Sequence, residues 1–168
     1  IDHLLQSGQV THLITTHLGL NSNAIALMNS GKLAVEFNAQ GILAERIRAG
    51  GAGIGAILSD IGIGTELADG KQVVEMEGKN YLVEAALRAD VALIHADRAD
   101  SFGNLAYVAT ARNFNPMMAM AAECVIAEAE RVLPLGALQA DDVHTPGVFV
   151  DHITALGELS KEYAVVRR

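Results

Sequence analysis

The residues of this chain best placed to do chemistry by type and spacing lie between Gly50 and Thr65, a run that holds six of the sixteen glycines. Within it, Gly51-Ala52-Gly53-Ile54-Gly55-Ala56 satisfies G-x-G-x-x-A, the pattern that seats a dinucleotide pyrophosphate on a helix N-terminus. That site requires the order strand, glycines, helix. Here a helical pattern precedes the glycines and an apolar Ile-Leu run follows, so the context is reversed. A phosphate-binding P-loop fails as well, because no Gly-Lys-Ser/Thr follows. Two readings stay level: backbone N–H groups that approach an oxyanion closely, or glycines that let a helix pack tightly on a strand.

The other candidates are sparser. Cys124 sits in an apolar run that reads as a buried strand, whereas a nucleophilic thiol needs an electropositive, partly open setting. The six histidines (His3, His12, His17, His95, His144 and His152) show no H-x-x-x-H or Cys/His pairing. Zinc is therefore disfavoured, and Asp141, Asp142 and His144 read as a solvated acidic turn; no metal site is expected. No G-x-S-x-G elbow is present. Arg112-Asn113-Phe114-Asn115-Pro116 places a guanidinium and two amides at a turn, where helix capping explains them. Gln40 is a neutral amide where a strand gives way to a helix, the edge at which open α/β sheets bind ligands.

The elements that must position these groups follow from periodicity and punctuation. A helix end at Ile1–Ser7 is stopped by Gly8, and the β-branched Val10–Thr16 is a strand. Asn21 or Ser22 caps a helix that Gly31 ends, and Leu33–Phe37 is the next strand. Gln40–Ala49 is helical, with Leu43 and Ile47 on one face and Glu45 and Arg48 on another. Gln72–Met76 and Asn80–Val83 flank Glu77-Gly78-Lys79 as a hairpin. Asp90–Ala96, Leu105–Ala109, Cys124–Ala127 and Val148–Ile153 are strands, and Asn115-Pro116 opens a helix over Met117–Ala122. Strands alternating with short helices predict a single α/β domain over residues 1–168: an open, mostly parallel sheet flanked by helices, with hairpin insertions.

Composition narrows the function further. The 168 residues are 51% hydrophobic and 19% charged, enough for a core without disulfides, and the one Cys fits a reducing compartment. A net charge of −8 is opposite to the footprint of a nucleic-acid binder. No apolar stretch nears the ~20 residues that span a bilayer, and the start lacks a secretory pattern, so the expectation is a cytoplasmic protein without membrane or nucleic-acid partners. The mean hydropathy of +0.27 is high for a free-standing monomer.

Taken together, the segments resemble a known family. Glu36-Phe37-Asn38-Ala39-Gln40-Gly41-Ile42-Leu43-Ala44-Glu45-Arg46-Ile47-Arg48-Ala49-Gly50-Gly51-Ala52-Gly53 closely resembles the PQGxLAERIRAGGAG block of family I CoA-transferases, as found in their α subunits. Gly62-Ile63-Gly64-Thr65, Gly78-Lys79-Asn80-Tyr81, Leu87–Ile94, Asp97–Asp100, Gly103-Asn104-Leu105, Thr110–Pro116 and His144-Thr145-Pro146-Gly147 follow in family order.

The resemblance implies a CoA-transferase fold and a ping-pong transfer of CoA between a short-chain acyl-CoA (acetyl-, acetoacetyl- or succinyl-CoA) and a carboxylic acid such as acetate or acetoacetate, with no tightly bound cofactor. Its glutamate nucleophile belongs to the β subunit, in a Ser-Glu-Asn-Gly type motif. No Glu here precedes Asn-Gly, so this chain is expected to carry no catalytic residue and to act only in a hetero-oligomer, α2β2 or larger. Gln40 matches a glutamine that lines the acyl-carboxylate pocket. Asn38 and Gly51, Ala52 and Gly53 are expected beside it, with Gly50, on the ligand side. Two departures accompany the match. The family's Gly-Gly-Phe CoA loop has no counterpart here, so the residues that bind the CoA phosphates are unassigned, and Ser7-Gly8-Gln9-Val10 directly joins elements that the family separates. The resemblance therefore implies further residues before Ile1 and near Gly8-Gln9. Ser59-Asp60-Ile61 also replaces the family's commoner Thr-Pro-Thr. Two rivals on the same fold are a non-catalytic module that senses a sugar phosphate or acyl-CoA, and a sugar-phosphate isomerase or deaminase.

Overall fold

A computed structural model describes residues 2–157 of the chain. They form two compact units, 2–46 with Ala56–Ala85, and Ile47–Gly55 with 86–157.

The first unit opens with α1 (Asp2–Gln6), β1 (His12–Thr15), α2 (Ser22–Asn29), β2 (Ala34–Phe37) and the start of α3 (Gln40–Gly51). Ser7-Gly8-Gln9 joins α1 to β1 as a closed turn, with Gly8 N–H donating to Leu5 O (3.1 Å) and Gln9 N–H to Leu4 O (3.1 Å). Of the two candidates Asn21 and Ser22, Asn21 caps α2, its side chain accepting from Ala24 N–H at 2.9 Å. β1 and β2 pair in parallel, with Thr15 opposite Phe37. Leu5, Leu18, Ala24 and Leu33 form the small core beneath them.

The rest of this unit is antiparallel. β3 (Ala56–Ser59), β4 (Val73–Met76) and β5 (Lys79–Ala85) make a sheet of order β3-β5-β4. The hairpin is the one expected at Glu77-Gly78, whereas β3 escapes a sequence reading because its four residues adjoin the glycines. Glu84 on β5 is buried, and Lys71 Nζ donates to both its carboxylate oxygens, at 2.7 and 3.0 Å.

The second unit carries the larger sheet, built from β6 (Ala89–Asp100), β7 (Leu105–Ala106), β8 (Ala122–Leu133) and β9 (His152–Ala155) in the order β7-β6-β8-β9. β6, β8 and β9 are mutually parallel and β7 is antiparallel. The α/β class with parallel pairing and hairpins is therefore observed, with the strands distributed over three sheets.

Boundaries differ from expectation where polar residues hide a strand. β8 runs twelve residues, not four, because Val125, Ala127 and Ala129 point into the core while Glu128 and Glu130 alternate outward. β7 is short because Ala109, at φ 51, turns the chain into a 3-10 helix, Ala109–Arg112. The segment Val148–Ile153 is a 3-10 turn (Gly147–Phe149) before β9, fixed by Asn104 Oδ1 accepting from Gly147 N–H at 2.9 Å. α4 (Asn115–Met120) starts on Pro116 as predicted and packs Ala119 into the core with Ile94, Tyr107 and Val125.

Candidate functional site

The first unit gathers hydrogen-bond donors where β1 and β2 end. Asn38 N–H donates to Thr15 O (2.9 Å), which extends the parallel pairing one step and sets Thr16 beside the turn that leads into α3. That turn ends on Ala39, whose carbonyl accepts the first helical bond, from Leu43 N–H at 3.0 Å. Ala39 thus holds the N-cap position without a side chain able to accept, unlike Asn21 on α2. The first-turn N–H groups of α3 have no partner within the helix, and the helix dipole adds partial positive charge at that end.

Gln40 is the first residue of α3 and is exposed. Thr16 Oγ1–H donates to its Oε1 at 2.9 Å, so the amide's NH2 end is the one left for a ligand. On the same loop His17 Nδ1 accepts from Gly19 N–H at 2.9 Å, which leaves Nε2–H as a donor. A side chain at Gly19 would meet the exposed His17 ring at 2.7 Å and push it aside. The edge therefore offers neutral backbone and amide N–H groups together with an imidazole N–H, suited to a carboxylate or a developing oxyanion.

Beneath the edge lies a buried ionic strut that sequence reasoning missed. Arg46, 8% exposed, donates through Nη1 to Glu36 Oε1 and to Asn38 Oδ1 (2.7 Å), and through Nε to Ala85 O (2.8 Å). Asn38 Nδ2 closes the ring by donating to Glu36 Oε1 at 3.2 Å. The hydrogen bond from Arg46 holds the Glu36 carboxyl below its usual range, so the edge is not left with an unpaired negative charge. Asn38 itself is 4% exposed and both ends of its amide are engaged, which makes it part of the support and not of the ligand surface.

The other expected residues are elsewhere. Gly51 is the last residue of α3, which Gln40 opens, and Ala52 and Gly53 follow it. A Cβ on Gly50 would sit 2.1 Å from Leu87 O, and one on Gly51 would sit 2.7 Å from Met120 Cβ. Gly53, at φ 73, ends the helix, with Ile54 N–H donating to Ala49 O (2.9 Å) and Gly53 N–H to Gly50 O (3.3 Å). Packing and helix termination thus account for these glycines.

Outside this edge, His95 stands between Glu128 Oε1 (Nδ1, 3.0 Å) and Glu130 Oε1 (Nε2, 3.3 Å) on the outward face of the larger sheet. Asp100 is buried. Burial works to raise its carboxyl, but donation from Asn104 and from the Phe102 and Gly103 backbone outweighs this and lowers it. His144 accepts from Tyr107 N–H at 2.8 Å, and burial and then Arg112 push it below its ordinary 6.5, as befits a turn-bracing imidazole. No group of three or more His, Cys, Asp or Glu suited to a metal occurs among the described residues. No helix among them is long and apolar enough to cross a membrane.

Comparison with known proteins gives a consistent picture. The family model described as Coenzyme A transferase matches residues 1–156. Over 153 residues, 91% of this chain, the sequence is 50% identical to one subunit of the succinyl-CoA:3-ketoacid coenzyme A transferase of Xanthomonas campestris pv. campestris (strain B100) and covers 63% of it. It is 44% identical to the alpha chain of the acetate CoA-transferase of Escherichia coli (strain K12), covering 91% of this chain and 70% of that one. The chain therefore spans about two-thirds of the length of these relatives. Among solved structures, the acyl-CoA transferase of E. coli O157:H7, in a thioester complex with CoA, superposes with a TM-score of 0.84 at 26% identity, over 97% of this chain and 36% of that one.

Proposed function

The chain belongs to the coenzyme A transferase family, and from that premise we propose that it is the α-type subunit of a heteromeric enzyme moving CoA between a short-chain acyl-CoA and a carboxylic acid. The observation that carries this reading is the donor edge at Thr16, His17, Gln40 and the uncapped start of α3. Neutral donors suit a substrate that must be held as a carboxylate and then released, because they do not add the fixed counter-charge that would trap it. The relatives' names, which mention succinyl-CoA, a 3-ketoacid and acetate, support this substrate class.

The nucleophile comes from the partner subunit. A glutamate carboxylate there attacks the thioester carbonyl, CoA leaves as thiolate, and an acyl-glutamyl anhydride forms. The thiolate then attacks the glutamyl carbonyl, releasing the first acid and leaving an enzyme-bound CoA thioester that the second acid reopens. The thioester complex of the solved relative supports this route. Division of one acyl transfer into such steps lowers each barrier. In each tetrahedral step Gln40 Nε2–H and the α3 amides face the oxygen on which charge develops.

The test is CoA exchange from acetyl-CoA to acetoacetate by the full-length chain, both without and with its partner. Activity only in the pair is expected, and Gln40→Ala in the pair should lower kcat/KM for the acid about ten- to a hundredfold, the worth of a hydrogen bond to a charged group. Turnover by the isolated chain would overturn the split site, and a pair inert towards every short acid would overturn the assignment.

A further inference from the structure

We infer that Thr16 is a positioning residue that sets which end of the Gln40 amide meets the carboxylate; the inference rests on the reading of Gln40 as a carboxylate donor. A glutamine amide is two-sided, NH2 a donor and Oε1 an acceptor, and the two ends are nearly equal in size. Presented Oε1-first, it would oppose a carboxylate oxygen with another acceptor. Gln40 is exposed on the first turn of α3, where little packing restrains its outer torsions, so something must choose the end.

The choice is made from the neighbouring strand. Thr16 follows the last residue of β1, and the parallel register of Thr15 with Phe37 places it across from the turn that carries Gln40. Its hydroxyl donates to Gln40 Oε1 at 2.9 Å. The hydroxyl engages the acceptor end and directs NH2 outward, beside the first-turn amides of α3. Three features thus coincide: a hydroxyl with a proton to give, an acceptor end that must be hidden, and an N-cap, Ala39, whose side chain cannot accept from the adjacent backbone donors. The contact joins residues 24 apart in sequence through side chains alone, and no main-chain bond depends on it. Its loss should therefore change ligand preference more than folding.

The experiment uses the assembled full-length enzyme with Thr16→Val, which keeps the shape and removes the hydroxyl, Thr16→Ser, which keeps the hydroxyl, Gln40→Ala, and the double variant Thr16→Val/Gln40→Ala. Kinetics are read with acetate and acetoacetate as acceptors, together with thermal melting. Thr16→Val should raise the KM for the free acid about three- to tenfold, in line with one hydrogen bond, with kcat less affected and the melting temperature held. Thr16→Ser should recover the parent KM, and Thr16→Val should have no further effect once Gln40 is Ala. If Gln40→Ala is impaired while Thr16→Val matches the parent, the positioning role is overturned and the donor edge stands. If Gln40→Ala also matches the parent, the carboxylate reading fails and takes this one with it. A Thr16→Val enzyme that melts early while its KM for the acid matches the parent, with Ser restoring the melting temperature, would show a purely structural hydroxyl, which also overturns the inference.

Discussion

Arg46 shows how a single residue sets the terms for the site. A guanidinium in the buried stripe of a helix is costly unless its donors are met, and here they are met by Glu36, Asn38 and the Ala85 carbonyl. The first two partners flank Phe37 at the end of β2, so the same bonds that satisfy the charge also fix the turn into Gln40. Arg46→Met should cost about 2 kcal/mol, two or three hydrogen bonds discounted because Glu36 can turn to water, and should loosen acid binding as the turn relaxes. Glu36 gives the pH signature. Its folded carboxyl is held below its ordinary 4.5, so its contribution is present above that value and is lost as pH falls through the depressed one. Glu36→Gln should therefore be less stable than the parent at neutral pH, with the gap closing on acidification below about pH 4. A gap that stays constant from pH 7 to 3 in thermal melts would remove the ion pair from the account. The sequence holds a clue: Ile42, Arg46 and Ala49 are spaced as one helix face, and a charge in such a stripe needs a partner. The pair Leu43 and Ile47 marks a competing face, and the partners of Arg46, ten and eight residues upstream, give no local sign.

At the scale of the element, α3 has two ends with different work. Its start, after Ala39, has no side-chain cap and carries the proposed donor edge, whereas its end is packed and closed by glycine. A methyl on Gly50 would drive into the Leu87 carbonyl at 2.1 Å, where backbone must move, so Gly50→Ala should destabilise by about 3 kcal/mol. Gly53 has open space around its Cβ position but a φ of 73, so Gly53→Ala should cost only the left-handed penalty, about 1 kcal/mol. Urea titrations of the two variants separate the readings that the sequence left level. Should Gly53→Ala fold normally yet lose CoA transfer, the glycines regain a ligand role. The elements with local punctuation were legible: the Asn21 cap, the Glu77-Gly78 hairpin and the Pro116 start all stand where expected. β8 was legible only in its first half, Cys124–Ala127, because outward Glu128, Glu130 and Arg131 interrupt the apolar run, and their place in a strand shows only with β6 and β9 on either side. Gln40 was legible as a residue at a sheet edge. Thr16 was not, since a hydroxyl one step past a strand has meaning only once the parallel partner is known.

At the scale of the whole molecule, the high mean hydropathy becomes a matter of where the apolar side chains lie. Several are exposed in each unit: Ile61, Val73 and Met76 in the first, and Val91, Val148 and Leu93, itself 67% exposed, in the second. Val91 and Leu93 share the outward face of β6, and a parallel sheet is ordinarily covered on both faces. Single exposed apolar residues are ordinary, but Val91 and Leu93 stand two apart on one strand face, where a partner would cover them together. The proposed enzyme supplies a reason, because the nucleophile has to be brought to the donor edge by a second subunit with an interface large enough to hold it there. The expected outcome is measurable without any assay of turnover. A dye such as ANS should fluoresce with the unpartnered full-length chain, and the signal should fall when the partner is titrated in, saturating at equal numbers of the two chains. The same titration should bring up CoA exchange in proportion, since the site is completed by the event that covers the surface. Exchange that rises while the dye signal stays flat would separate the two, leaving the split site in place and the exposed residues without a role in assembly.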